Sequence, residues 1–165
     1  MRRLPPSLLA AGLAVLIGMA GLVGGAMPQS AATGATVAAP IVIGGAYVRE
    51  PATAQNAAAY FTVFNTSGDV DVLTSVSTGA GAVATLHADV NGSMTVTPAG
   101  LSIPAHGQLT LSPGKGHVMI EQLYGALRPG QTVNLQLTFQ RAGTILVTAP
   151  VIAIAAPAPS AVAPK

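Results

Sequence analysis

The sequence predicts an all-β chain, an antiparallel Greek-key β-sandwich, on three observations. Val, Leu, Ile, Thr and aromatic residues alternate with polar ones in short runs along residues 41–151, at the two-residue period of strands. Turn signals built from Gly, Pro, Asn and Asp separate these runs at regular spacing. Gly and Pro are frequent (19 and 13 residues) while only 7% of residues are charged, a balance that fits short strands with turns better than helices.

The elements follow in order. Ile41-Val42-Ile43 and Ala46-Tyr47-Val48 form a first strand interrupted at Gly44–Gly45, a β-bulge signal. A polar connection from Arg49 to Asn56 contains Pro51. Ala58 to Asn65 alternates Tyr60, Thr62 and Phe64 against Ala59, Phe61 and Val63, and as the most aromatic strand it is expected in the core. After the Thr66–Asp69 turn, Val70, Val72, Thr74 and Val76 are expected to share one face. Val83 to His87 precedes a hairpin turn at Asp89–Gly92, where Asn91-Gly92 favours positive backbone angles. Met94–Thr97, Leu101–Pro104, Leu109–Leu111, His117–Gln122, Val133–Phe139 and Ile145–Val151 complete about eight or nine short strands. A domain of residues 41–154 results.

Outside that domain the chain changes character. Arg2 and Arg3 precede an uncharged apolar run from Ser7 to Met27, the pattern of a signal peptide or of an N-terminal membrane anchor. Both alternatives place the domain outside the cytoplasm, in the periplasm, cell envelope or extracellular space. Residues 28–40 are rich in Ala, Thr, Ser and Gly and read as a flexible linker, and residues 155–165 (AAPAPSAVAPK) as a disordered Pro/Ala tail.

Composition excludes several classes. Beyond the leader, Arg49, Lys115, Arg128, Arg141 and Lys165 balance Glu50, Asp69, Asp71, Asp89 and Glu121, so the domain is neutral and nucleic-acid binding has no electrostatic basis. The absence of cysteine excludes disulfides, thiol catalysis, Cys-based zinc sites and a lipobox. Asp69 and Asp71 read as solvated charges, no Ser has a triad context, and no glycine-rich loop opens a helix, so an enzyme is not expected.

What remains is concentrated between His87 and Met119. This stretch holds all three histidines, His87, His106 and His117, and both methionines of the domain, Met94 and Met119. Imidazole with thioether, and no thiol, suits copper, Cu(I) in particular. His117 and Met119 project to one strand face, and a hairpin brings His87 towards Met94, so two such pairs brought together would form a His2Met2 site. On spacing alone a His-x-Met pair is more often a filler methionine beside a surface histidine, and that reading stays open here.

LHADVNGSM, IPAHGQLTLSPGKGHVMI, LRPGQTVNLQLTF and AAYFTVFNTSGDVDVL together resemble the periplasmic CuA chaperone family, the PCuAC-type domains, over about Ala46 to Val151. The resemblance implies a cupredoxin-like sandwich that binds one Cu(I) through His and Met side chains. It implies delivery to the CuA site of a cytochrome c oxidase subunit, or copper buffering. His87 matches the family's first histidine, and His117 with Met119 matches its His-x-Met pair in a Pro-Gly-x-x-His context. Met94 matches less closely, because the ligand methionine of the family often stands where this chain has Val96, and His106 lies where relatives usually have glycine. The metal set implied is His87, Met94, His117 and Met119. The partner implied is a copper acceptor protein. The charge balance gives no nucleic-acid partner, membrane contact is expected only through an uncleaved leader, and the carrier is expected to be monomeric. The competing reading is an exported interaction or adhesion domain that has lost its metal.

Overall fold

A computed structural model describes residues 40–165; the expected leader and all but the last residue of the expected linker lie outside the described residues. Ten strands and no helix are present among them: β1 (Ile41–Arg49), β2 (Asn56–Asn65), β3 (Asp71–Thr78), β4 (Gly81–Val90), β5 (Ser93–Val96), β6 (Leu101–Ile103), β7 (Gln108–Leu111), β8 (Gly116–Leu123), β9 (Thr132–Phe139) and β10 (Gly143–Ile152). They are hydrogen-bonded in the order β5-β4-β8-β2-β1-β10-β9-β3-β6, with β7 on β2 beside β8. β2 is the hub of the first half: its first residues pair with β8 and its later ones with β7, while its other edge carries β1.

Alternation places the core. Ala57, Ala59, Phe61 and Val63 of β2, Val118 and Ile120 of β8 and Leu86 of β4 meet Leu73, Val76, Leu135, Leu137 and Val151 in one buried cluster. β9 shows the pattern most plainly, with Val133, Leu135, Leu137 and Phe139 inward and the residues between them outward. The all-β sandwich is therefore as expected. One pairing departs from antiparallel: β1 and β10 run parallel at Val48–Val151 and Arg49–Ile152, where the first strand and the last join the two halves.

Three local details differ from, or add to, the expectations. The Gly44–Gly45 bulge is present as a register shift between Gly44 and Tyr47, with Gly45 at φ +61°. β3 contains a second shift between Leu73 and Ser75, so its inward residues are Asp71, Leu73 and Val76, not the even Val70–Val76 series. Val70 is 53% exposed as a result. Asp71 itself is not a solvated charge: it is buried, and its carboxylate accepts from the backbone N–H groups of Val72 (2.7 Å), Arg141 (2.9 Å) and Ala142 (3.0 Å). Asp69 does remain at the surface, paired with Arg141 at 2.6 Å.

The tail has no strand, yet it lies against β1. A Cβ on Gly45 would stand 3.0 Å from the backbone N of Ala161, and one on Gly44 3.3 Å from the carbonyl O of Val162. The Arg49 guanidinium donates to the carbonyls of Ala153, Ile154 and Ala156. Side-chain-free backbone at the bulge and a fixed cation beside it give a Pro/Ala segment a seat that composition does not reveal.

Candidate functional site

β8 lies between β4 and β2, and its register decides the site. Gly116 faces Ala88 on β4, and any Cβ there would come within 2.8 Å of the His87 carbonyl O, so glycine permits the close approach of the two strands. One residue on, His87 and His117 are direct cross-strand partners. Their rings stack with centroids 5.1 Å apart and planes 7° from parallel. Val118 points into the core, fully buried, which turns His117 and Met119 together to the outer face, where both are half-buried. Met119 sits one row from the histidine pair, opposite Thr85 of β4 and Ala58 of β2.

The β4–β5 hairpin sets the remaining member. Asn91 and Gly92 both have positive φ, 56° and 82°, so the turn has two residues and β4 extends to Val90. The Asp89 carboxylate accepts from the Gly92 N–H at 2.8 Å and braces it. The register that follows pairs Asp89 with Met94 and His87 with Val96. Val96, not Met94, therefore stands beside His87 in the histidine row. Met94 shares the outer face but lies one row towards the hairpin tip, whereas Met119 lies one row the other way. Ideal strand spacings put the two methionine Cα atoms about 16 Å apart, with the histidines between them. A diagonal neighbour of His87 is within reach of a long side chain such as Met94. His106 lies apart, exposed in the β6–β7 turn at φ +51°, a backbone angle that favours glycine.

The electrostatics favour a neutral imidazole at His117. His117 is held below its ordinary value of 6.5, first by burial and then by the neighbouring His87. The fold thus prefers neutral His117, and the unfolded chain binds the extra proton. Stability rises with pH up to about 6.5 and is lost as the pH falls through the lowered value. Thermal unfolding of the metal-free protein followed between pH 7.5 and 5 is expected to show this loss, and His117→Gln is expected to reduce it. Among the described residues no group of three or more His, Asp or Glu converges.

One feature of the site was not read from the sequence. Tyr60 of β2 stands beside His117 at 6.2 Å between ring centroids, tilted by 54°. Its phenol is raised above its ordinary value, first by burial and then by Tyr47. The alternation of β2 put Tyr60 on the outer face, but only the β2–β8 register places it next to a histidine.

Known proteins agree with this architecture. The chain is similar to the copper-bound PCuAC domain from PmoF2, at 23% identity and TM-score 0.61, over 69% of this chain and 93% of that one. It is similar to the Cu(I) form of DR1885 from Deinococcus radiodurans, at 32% identity and TM-score 0.60, over 73% of this chain and 83% of that one. The resemblance to PCuAC-type domains is thereby borne out. Among curated proteins it is 31% identical over 142 residues to the lipoprotein Lxx21020 of Leifsonia xyli subsp. xyli (strain CTCB07), covering 84% of each. The model of the LpqE-like lipoproteins matches residues 41–151, and the chain belongs to the LpqE-like family.

Proposed function

We propose that the protein is an extracytoplasmic Cu(I) carrier rather than an enzyme. The observation that carries this reading is the cross-strand His87–His117 pair, with Met119 one row away on the same face. Two imidazoles and a thioether need little or no deprotonation to bind, and the thioether favours soft Cu(I) over Cu(II) and zinc. His87, His117 and Met119 form the nucleus of the ligand set, and Met94 completes it by a bend of the β4–β5 hairpin. β5 is exposed along its whole length, so little packing opposes that bend.

A half-buried site on an outer strand face releases its ion by ligand exchange with a docked acceptor. The resemblance to PCuAC domains supports the CuA-bearing subunit of cytochrome c oxidase as the acceptor in this proposal, with copper buffering as the other use of the same site. The apolar leader and the lipoprotein relative support a place outside the cytoplasm.

A competition titration with a chromogenic Cu(I) chelator tests the reading. One Cu(I) per chain is expected. Met94→Leu should weaken binding only about tenfold, some 1.4 kcal/mol, because Met94 is the outlying ligand. Val96→Met, which puts a thioether directly opposite His87, should tighten it. A protein that takes up no Cu(I) from the chelator would remove the proposal.

A further inference from the structure

The rings on the outer face form a file that continues past the histidines. Across the sheet the order is Val96, His87, His117, Tyr60 and Tyr47. Tyr47 stacks on Tyr60 with centroids 5.1 Å apart and planes 28° from parallel. The Arg49 guanidinium carbon lies 5.4 Å from the Tyr47 ring centroid, and the same guanidinium is fixed by three tail carbonyls. Tyr47 is only 4% exposed, and it borders a cleft shared with Ala158, Pro159 and Ala161 of the tail. Tyr60 is thus backed by a buried ring and cannot withdraw from His117. The other end of the file is open: Val96 is 47% exposed, and β5 is an edge strand.

The resting geometry also has a mechanical consequence. A metal–nitrogen bond lies in the imidazole plane. Two stacked, nearly parallel rings cannot both aim a nitrogen at an ion between them, so one ring must turn when the ion enters. His117 has Tyr60 at its back, whereas His87 has only the short, half-exposed Val96.

Resting on the copper reading, we propose that Tyr60 is a positioning residue. It walls the site on the β2 side and holds His117 in place. His87 is left as the ring that turns, and the β5 side as the route by which Cu(I) enters and leaves.

The test uses Cu(I)-loaded protein and the chelator bicinchoninate, with affinity measured at equilibrium and extraction rate by stopped flow. Tyr60→Leu should weaken Cu(I) affinity by about 10- to 100-fold, as loss of a ligand-orienting neighbour does. Tyr60→Phe, which keeps the ring, should restore it. Val96→Phe, at an exposed edge position where folding is not at stake, should slow extraction several-fold and leave affinity close to that of the parent. Unchanged affinity in Tyr60→Leu overturns the wall; an unchanged extraction rate in Val96→Phe overturns the route, even where Tyr60→Leu does not fold. Failure of the parent protein to bind Cu(I) overturns the copper reading itself, an outcome separate from a parent that binds while the variants behave identically to it.

Discussion

Replacement of His117 and Met119 together by alanine is expected to abolish Cu(I) binding while the sandwich survives. Both side chains lie on the outer face of β8, half-buried, and the residues that anchor that strand, Val118 and Ile120, point the other way and are fully buried. The double variant therefore removes no core volume. It leaves His87 alone in its row beside Val96, with Met94 as its only soft neighbour on that face. One imidazole and one distant thioether do not compete with a strong Cu(I) chelator. The expected result is loss of uptake in the chelator titration, with an unchanged far-ultraviolet circular dichroism spectrum and a cooperative thermal transition. Retained uptake would mean that the ion sits elsewhere.

The second large effect concerns stability and leaves copper untouched. Asp71→Ala removes a buried carboxylate that accepts three backbone N–H bonds, two of them from Arg141 and Ala142 in the turn between β9 and β10. Leaving buried donors unpaired, and losing bonds to a charged acceptor, costs about 3 kcal/mol. For a domain of this size that corresponds to a fall of roughly 15 °C in Tm. Asp71→Asn, which retains one carbonyl oxygen, should cost less. Both variants are expected to bind Cu(I) with the parent stoichiometry, because Asp71 belongs to β3 and the histidines to β4 and β8. Thermal unfolding followed by circular dichroism, with the chelator titration alongside, checks both halves of this expectation.

Local chemistry was legible in the sequence, and pairing between distant strands was not. The alternation of β9, the Gly44–Gly45 bulge and the Asn91–Gly92 turn each depend on a few consecutive residues, and each is present. The β4–β5 register also follows by counting outward from a two-residue turn, and the count puts Val96 opposite His87. A turn read as Asp89–Gly92 hides that count. The β3 shift escaped because a bulge leaves no signature in a run such as VDVLTSVST. The burial of Asp71 escaped because its three donors come partly from residues seventy positions away. The tail's seat escaped for the same reason: it depends on Gly45 and Arg49, more than a hundred positions earlier.

For the site, spacing alone left the filler-methionine reading open, the family resemblance singled out the candidate side chains, and the β4–β8 register places His87 opposite His117. Tyr60 lay outside that reading because a tyrosine in a strand carries no ligand signal of its own. The unequal standing of the two methionines belongs to the register as well. Met119 follows His117 on the same face of β8, while Met94 stands on the diagonal from His87.

X-ray absorption at the copper edge of the Cu(I)-loaded protein bears most directly on this account. Imidazole nitrogens and sulfur should appear in the first coordination shell, with the larger loss of sulfur in Met119→Leu and the smaller in Met94→Leu. A shell of nitrogen and oxygen alone, or one indifferent to residue 119, would contradict it.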